Sequence, residues 1–282
     1  MRFGDFEINT FVEQRFKLDG GSMFGVIPRS LWGKMIPPDE NNLIDMHTNL
    51  FVLKAHGKNF IFDTGLGDTL SDREKKVYTA PGISDIEKGL KGLGLTPDDI
   101  DYVVLTHLHT DHAGGSVKIE GGRFVPRFGQ ATYVASKDEW QSAMNPNERT
   151  SAVYAPDRYR ALKDFSRVEL LDANTELLPG IRAVFTGGHT RGHFALEMES
   201  GGAKVYYYAD IFCTSHHMPV AYVPAVDLYP DETMAIKRDK LPEIIADGVV
   251  MAFDHDVSMP FGRVREDGRK LVVDKVEGEL AA

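Results

Sequence analysis

Residues 106–115 are Thr106-His107-Leu108-His109-Thr110-Asp111-His112-Ala113-Gly114-Gly115, directly after an apolar run that ends at Leu105. Neutral imidazole and carboxylate together form a ligand set that suits zinc and also manganese, iron or cobalt. His107 and His109 are two residues apart, so an extended backbone would point both side chains the same way. Asp111 and His112 follow as the chain turns and can face a second point. The pattern predicts two neighbouring metal ions; the alternative is a polar turn with solvated histidines.

Three further metal-type residues follow predicted apolar strands. The strand at 181–185 precedes His189, the strand at 205–209 ends at Asp210, and the strand at 249–253 precedes His255. Loops at strand ends, held by a rigid scaffold, are where functional sites are usually built. We therefore expect these residues and the histidine cluster to converge as six or seven ligands at one edge of a sheet. Taken singly, each could be only a cap or turn residue.

Composition limits the class of protein. The 282 residues carry a net charge of −10, which argues against nucleic acid as a partner, because phosphate binding favours a basic surface. Cys213 is the sole cysteine, so no internal disulfide can form and a reducing compartment fits. The N-terminus lacks a signal-peptide core and no apolar run approaches membrane-spanning length. We expect one soluble, cytoplasmic domain over residues 1–282, with no membrane partner.

The pattern along the chain alternates strands and helices. Strands are predicted at 2–12, 50–53, 60–62, 101–105, 131–135, 181–185, 194–198, 205–209 and 249–253. Helices are predicted at 84–94, 136–144 and within 231–246. Hairpins are predicted where the strands at 50–53 and 60–62 flank His56-Gly57-Lys58-Asn59, and near Asp267-Gly268. Residues 145–166 show no clear pattern. The Gly-, Pro- and aromatic-rich stretch 20–42 predicts a long loop that either packs as a plug or walls a pocket with Met23, Phe24 and Trp32.

The cluster and the later ligands resemble the signature of the metallo-β-lactamase superfamily, over essentially the whole chain. The resemblance implies an α/β fold, an αβ/βα sandwich of two mixed sheets flanked by helices. It implies two divalent ions, zinc first and otherwise Mn, Fe or Co, held by His107, His109, His189, Asp111, His112, His255 and a bridging Asp210. It also implies that Asp63 orients ligands, unless it merely ends a strand. His193 is expected beside the ligands or in a structural role.

The N-terminal block and residues 210–217 are similar to YtnP-type quorum-quenching lactonases. That resemblance implies hydrolysis of an N-acyl homoserine lactone or related ester. The better-known lactonases have a carbonyl-binding tyrosine three residues after the bridging aspartate, where this chain has Cys213. Carbonyl activation would then fall to the metal or to another donor. His217 is expected at the mouth of the substrate pocket, and Met23, Phe24, Trp32 and Cys213 are expected to line it.

The resemblance implies that a hydroxide bridging two metals attacks the carbonyl, since metal coordination lowers the pKa of water to about 7. Asp111 would pass a proton to the leaving alkoxide, and Asp210 would span both ions. A phosphotriesterase or phosphodiesterase stays open as an alternative. A glyoxalase-II-type thioesterase is ranked low, because such enzymes normally carry a helical C-terminal extension and 27 residues follow His255 here. A non-enzymatic metal protein is the remaining alternative. The expected partner is a small-molecule substrate, and a homodimer is left open.

Overall fold

Short strands make up much of the chain, as its many short apolar runs predict. The computed structural model describes residues 1–268 and 270–280. Their strands are β1 (Arg2–Phe3), β2 (Phe6–Asp19), β3 (Leu43–Ala55), β4 (Lys58–Phe62), β5 (Tyr102–Val104), β6 (Val117–Glu120), β7 (Arg123–Pro126), β8 (Thr132–Ser136), β9 (Arg167–Leu171), β10 (Thr175–Leu178), β11 (Ile181–Phe185), β12 (Phe194–Ser200), β13 (Ala203–Tyr207), β14 (Val250–Ala252), β15 (Phe261–Asp267), β16 (Lys270–Lys275) and β17 (Glu279–Leu280).

Helices are fewer and mostly short. They are α1 (Gly20–Phe24), α2 (Arg29–Trp32), α3 (Asp72–Val77), α4 (Ile86–Gly92), α5 (Thr110–Ala113), α6 (Lys137–Met144), α7 (Pro156–Phe165) and α8 (Pro230–Ala246). Short 3-10 turns cover Pro97–Asp99, Gly114–Ser116, Ala209–Ile211 and Ser215–His217.

The chain divides into two compact units. Unit 1 comprises Met1–Asp5, Lys17–His47 and the chain from Asn174 onward, and unit 2 comprises Phe6–Phe16 and Thr48–Ala173. Each has a buried apolar cluster of its own, around Val103 and Leu105 in unit 2 and around Ile244 and Met251 in unit 1. The single domain expected from the sequence stays a prediction.

Unit 2 is built on a mixed sheet. Its strands are hydrogen-bonded in the order β2-β3-β4-β5-β8-β9. The predicted hairpin is confirmed as β3 and β4, joined at His56 and Gly57, both with positive φ, which is the geometry of tight hairpin turns. Strands β4, β5, β8 and β9 are parallel. Their carboxyl ends therefore share one edge of the sheet, and that edge carries Asp63 after β4 and His107 after β5.

Unit 1 contains a second mixed sheet, ordered β10-β11-β12-β13-β14-β15-β16. β11 and β13 are each antiparallel to β12, and β13 is parallel to β14. The carboxyl ends of β11, β13 and β14 thus lie at the same edge, which is where His189, Asp210 and His255 follow. The predicted hairpin at the end of the chain is present as β15 and β16.

Several elements were not predicted. The β6–β7 hairpin turns at Gly121 and Gly122, and α7 lies inside the stretch 145–166 that showed no pattern. The stretch 20–42 holds two short helices rather than only a loop. The first begins because the side chain of Asp19 accepts a hydrogen bond from the backbone N–H of Ser22 at 2.9 Å. None of the helices within the described ranges is long and apolar enough to cross a membrane.

Candidate metal centre

In unit 2, the histidine cluster leaves strand β5 and turns into α5. His107 is fully buried, and its ring centroid lies 4.6 Å from that of His109 and 4.0 Å from that of His112. The ligand nitrogens of His107 and His109 lie within 4.8 Å of each other. Because metal–nitrogen bonds are about 2.0–2.1 Å long, two such atoms can reach one ion. The two-residue spacing thus places His107 and His109 side by side.

Asp63 supports this cluster from the end of β4. Its Oδ2 accepts a hydrogen bond from His112 Nδ1 at 3.0 Å, which leaves the Nε2 atom of His112 as the ligand atom. Asp63 also accepts hydrogen bonds from the backbone N–H and the hydroxyl of Thr106, each at 2.8 Å. Asp63 itself has φ +53°, a conformation that non-glycine residues rarely adopt. One carboxylate therefore fixes both the histidine ring and the start of the motif.

The two glycines that close the motif permit a close backbone approach. A Cβ atom on Gly115 would lie 2.1 Å from the carbonyl oxygen of Thr64, far inside van der Waals contact. The backbone N–H of Thr64 also donates to the carbonyl of His112 at 2.6 Å. The loop after β4 can therefore pack directly against the turn that carries His112.

Asp111 contacts a tyrosine that the sequence analysis did not identify. Its Oδ1 lies 3.3 Å from the hydroxyl of Tyr78, and both residues are buried. Burial and the neighbouring Asp111 carboxylate hold the pKa of Tyr78 far above its usual value, so the phenol stays protonated and donates. The metal-ligand and proton-transfer roles expected for Asp111 stay predictions.

In unit 1, Asp210 stands between two imidazole rings. Its Oδ2 lies 3.0 Å from His189 Nε2, and its Oδ1 lies 3.3 Å from His255 Nε2. All three side chains are buried. The two oxygens of one carboxylate thus face the ligand nitrogens of two different histidines, an arrangement suited to a carboxylate that bridges two ions.

A second carboxylate holds His189 from behind. Asp227 Oδ1 accepts a hydrogen bond from His189 Nδ1 at 2.8 Å, and Asp227 Oδ2 accepts one from the Thr233 hydroxyl at 2.6 Å. Burial disfavours the charged ring, but Asp210 and Asp227 outweigh it and raise the pKa of His189 to about 10. Partners of this kind set the tautomer and orientation of a metal-binding histidine.

His255 is oriented by the backbone. Its Nδ1 donates to the carbonyl of His47 at 2.8 Å, and its own backbone N–H donates to the carbonyl of Cys213 at 3.0 Å. Its Nε2 therefore faces Asp210 and, at 3.6 Å, Oδ2 of Asp254. The donor atoms of Asp210, Asp254 and His255 lie within 4.8 Å of one another.

The donor chemistry of each unit fits a divalent transition metal. Unit 2 supplies the imidazole nitrogens of His107, His109 and His112, and unit 1 supplies two imidazoles that flank Asp210. Asp111 is not among the described residues whose ligand atoms cluster in this way, so its place as a ligand stays a prediction. Neutral imidazole with carboxylate oxygen suits zinc, manganese, iron and cobalt. The residues therefore fit the metal ions that the resemblance implies.

The expected pocket residues form a packed segment in unit 1. Met23, Phe24, Trp32, Cys213 and His217 are all buried, and Phe24 stacks on Trp32 at 5.4 Å and on His217 at 4.6 Å. Burial holds the pKa of Cys213 well above its usual value, so the thiol stays neutral. This packing fits the plug interpretation, and the substrate wall stays a prediction.

His217 and Lys237 hold this segment together. His217 Nε2 donates to the carbonyl of Met23 at 2.8 Å, and burial lowers the pKa of His217 to about 3, so the ring is neutral. The ammonium of Lys237 donates to the carbonyls of His217 and Tyr222 at 2.7 and 2.6 Å. Burial lowers the pKa of Lys237 to about 8. This lysine was not identified from the sequence.

His193 lies next to the loop that carries His189. Its Nδ1 lies 2.6 Å from the hydroxyl of Thr186, and its carbonyl accepts hydrogen bonds from the backbone N–H groups of Thr186 and Gly187. Its ring centroid is 6.0 Å from that of His189. These contacts fit a residue that shapes the loop, the structural option that the sequence left open.

Comparison with known proteins points in one direction. A family model described as the metallo-beta-lactamase superfamily matches residues 43–247. The crystal structure of a probable metal-dependent hydrolase from Staphylococcus aureus is similar with a TM-score of 0.89 and 32% identity, covering 99% of both chains. The dizinc quorum-quenching lactonase AidC, solved with a product, has a TM-score of 0.79 at 19% identity, covering 99% of this chain and 97% of AidC, a likeness of fold alone.

Curated relatives match a smaller part of the chain. An N-acyl homoserine lactonase from a Bacillus species is 24% identical over 168 residues, which are 56% of this chain and 60% of that protein. One from Agrobacterium fabrum is 28% identical over 176 residues, 57% of this chain and 60% of that protein. The chain thus spans less than two thirds of the length of these lactonases.

Proposed function

The chain belongs to the metallo-β-lactamase superfamily, and from that premise we propose that it is a dinuclear metal-dependent hydrolase that opens a lactone or related carboxylic ester. The observation that carries the proposal is Asp210, whose two oxygens face His189 Nε2 and His255 Nε2 at 3.0 and 3.3 Å. A buried carboxylate in this position is suited to span two ions. The named lactonase relatives support the choice of an ester substrate.

Seven residues would hold the ions, as the superfamily pattern implies. One ion would bind His107, His109 and His189, the other would bind Asp111, His112 and His255, and Asp210 would bind both. When bound, divalent ions of this kind supply Lewis acidity and make water a nucleophile at neutral pH. Zinc is the first candidate, followed by manganese, iron and cobalt, because the donors are imidazole and carboxylate.

Three acceptors that bind the ligand histidines on their Nδ1 side would orient the rings. Asp63 holds His112, Asp227 holds His189, and the His47 carbonyl holds His255, each through a ring Nδ1 atom. Each contact leaves the Nε2 atom free of a proton when the ring is neutral, which is the form that binds metal. The protein thereby fixes the tautomer of these three ligands.

Proton transfer would fall to Asp111. A lactone that opens releases an alkoxide, which needs a proton, and the resemblance gives that task to this carboxylate. The phenol of Tyr78 donates to Asp111 Oδ1 and would keep the carboxylate in one orientation.

The substrate is proposed to be an N-acyl homoserine lactone or a similar small ester. The relatives named as lactonases support it, and so does Asp210, since the zinc β-lactamases usually have cysteine near this role. Cys213 stands where better-known lactonases have a carbonyl-binding tyrosine, so Cys213→Tyr is an informative variant. A soluble cytoplasmic location is the expectation from the sequence.

A hydrolysis panel on metal-loaded protein tests the proposal. The panel contains N-acyl homoserine lactones of several chain lengths, an aryl ester, a thioester, a phosphotriester and a β-lactam. We expect lactone opening, about two ions per chain by elemental analysis, and loss of at least one ion and of activity in His109→Ala. The matched control is His56→Asn, which changes an exposed histidine at φ +52°, a conformation that asparagine tolerates.

The outcomes separate the candidate reactions. Hydrolysis of the phosphotriester or the thioester with intact lactones would move the substrate class to one of the alternatives and leave the metal site standing. A protein that binds no zinc, manganese or cobalt would overturn the metal site itself, whereas one that binds them but hydrolyses nothing in the panel would favour the non-enzymatic alternative.

A further inference from the structure

Asp254 lies beside the proposed ligands at the end of β14. It directly precedes His255, and it is not among the seven residues that the superfamily pattern implies. We propose that Asp254 is a further carboxylate ligand of the ion that binds His255. The inference rests on the proposed metal-dependent function and adds a ligand to it.

The distances place Asp254 within reach of that ion. Asp254 Oδ2 lies 3.6 Å from His255 Nε2, and Asp210 Oδ1 lies 3.3 Å from the same nitrogen. Donor atoms of all three residues lie within 4.8 Å of one another. Two donors bound to one ion by bonds of about 2.0–2.2 Å are separated by at most about 4.4 Å, so the three positions suit one cation with small adjustments.

The carboxylates in this arrangement are buried, so their negative charge needs compensation. Asp254, Asp210 and His255 are 3%, 6% and 2% exposed. Buried charges in proteins are paired or coordinate a metal, because removal from water is costly otherwise. Two carboxylates that meet at one imidazole form a concentration of negative charge that a divalent cation neutralises. The buried position of Asp254 therefore suits a ligand of a divalent cation better than a partner in a surface ion pair.

The neighbouring Asp256 shows what a structural carboxylate looks like here. Asp256 Oδ2 accepts hydrogen bonds from the backbone N–H and hydroxyl of Ser215 at 2.9 and 2.6 Å. Its Oδ1 accepts from the backbone N–H groups of Ser258 and Met259 at 2.9 and 2.8 Å. Asp256 therefore closes a turn, whereas Asp254 faces the ligand atoms. The pair supplies a matched control.

An added carboxylate changes the preference of the site among metals. Carboxylate oxygen suits manganese, whereas imidazole suits zinc, copper, iron and nickel. With Asp254 added, this ion would have three carboxylate ligands and two imidazole ligands, a harder ligand set than the three imidazoles and one carboxylate proposed for the other ion. We expect Asp254→Asn to weaken manganese binding more than zinc binding.

The test uses the full chain and metal alone. Zinc and manganese are titrated against a chromophoric chelator into the wild type, Asp254→Asn and Asp256→Asn. In Asp254→Asn one of the two ions should bind more than about 100-fold more weakly, beyond the range of about 10–100-fold that loss of a residue behind a ligand usually costs. In Asp256→Asn both ions should bind as in the wild type, while thermal stability falls. Asp254→Cys is then loaded with cobalt and should gain a thiolate-to-cobalt charge-transfer absorption that the wild type and Asp256→Cys lack.

Each outcome decides the matter. Wild-type affinity for both ions in Asp254→Asn, or a cobalt-loaded Asp254→Cys without the new absorption, overturns the role of Asp254. If Asp254→Cys does not fold, the titration of Asp254→Asn decides alone. A wild type that binds no ion overturns the proposed function instead, so the two failures are distinguishable.

Discussion

Removing the carboxylate behind His189 should weaken one metal without unfolding the chain. In the wild type Asp227 accepts hydrogen bonds from His189 Nδ1 at 2.8 Å and from the Thr233 hydroxyl at 2.6 Å. Asp227→Ala takes away the group that fixes both the tautomer and the ring orientation of His189. The ring can then rotate, and the correct orientation has to be recovered each time a metal binds.

The magnitude follows from the type of contact. Loss of such an outer partner typically costs about 10–100-fold in metal affinity, or about 1.4–2.7 kcal/mol. We expect the upper half of that range, because His189 and Asp227 are 0% and 3% exposed and water does not replace the lost acceptor readily. Asp227→Asn keeps an oxygen acceptor and loses only the charge, so it should cost about tenfold. Thr233→Val should cost less than either.

The assay is a competition titration with a chromophoric chelator, with circular dichroism as the check on folding. Asp239→Asn, which changes an exposed carboxylate on α8, is the control and should bind metal as the wild type does. An Asp227→Ala chain that folds and binds both ions with wild-type affinity would refute the reasoning. So would weaker metal binding in Asp227→Asn than in Asp227→Ala, since a variant that keeps an oxygen acceptor for His189 would then support the ring less well than one that has none.

Three further changes test other parts of the structure. Gly115→Ala should lower the free energy of unfolding in urea by about 1–3 kcal/mol, because its Cβ would meet a backbone carbonyl at 2.1 Å; Gly92→Ala, with open space around it, should lower it by nothing measurable. Lys237→Met removes an ammonium whose pKa burial lowers from 10.5 to about 8. Because the unfolded chain keeps that proton to higher pH, the free energy of unfolding of the wild type should rise by about 3 kcal/mol relative to that of Lys237→Met between pH 8 and 10.5. A difference between the two proteins that does not change with pH would refute this. Tyr78→Phe should keep both ions but slow turnover up to about tenfold, through a lost hydrogen bond of roughly 1.5 kcal/mol to Asp111, and an unchanged rate would contradict that role.

The fold was predictable where sequence patterns are local. The chain has the metallo-β-lactamase fold, mixed sheets with flanking helices, as the resemblance implied. The hairpin at His56 and Gly57 and the helix after Ser136 were predicted because their signals lie within a few residues. Short apolar runs also located the strands that precede the proposed ligands. The β6–β7 hairpin was missed because its strands are only four residues each and carry exposed polar side chains.

The candidate metal ligands could be predicted from the sequence, but most of the residues that support them could not. Metal-type residues after buried strands could be identified singly, and parallel strand order then brought His189, Asp210 and His255 to one sheet edge. Their supporting residues left no such signal. Asp227 is 38 residues from His189 and Tyr78 is 33 residues from Asp111, and each lies outside any strand that would have marked it.

Ligands could be predicted and packing residues could not, for a physical reason that Phe24 and Trp32 illustrate. A metal ligand is recognisable because few residue types can bind a cation, so His or Asp after an apolar strand narrows the alternatives. Phe24 and Trp32 carry no such restriction, since an aromatic side chain serves equally in a core or in a binding wall. The stacking of Phe24 on His217 joins chain segments that are nearly 200 residues apart, as does the contact of His217 with Met23. Metal ligands can therefore be predicted from the sequence, because few residue types can bind a cation. Packing contacts can be identified only in the structure, where the fold has brought distant segments together.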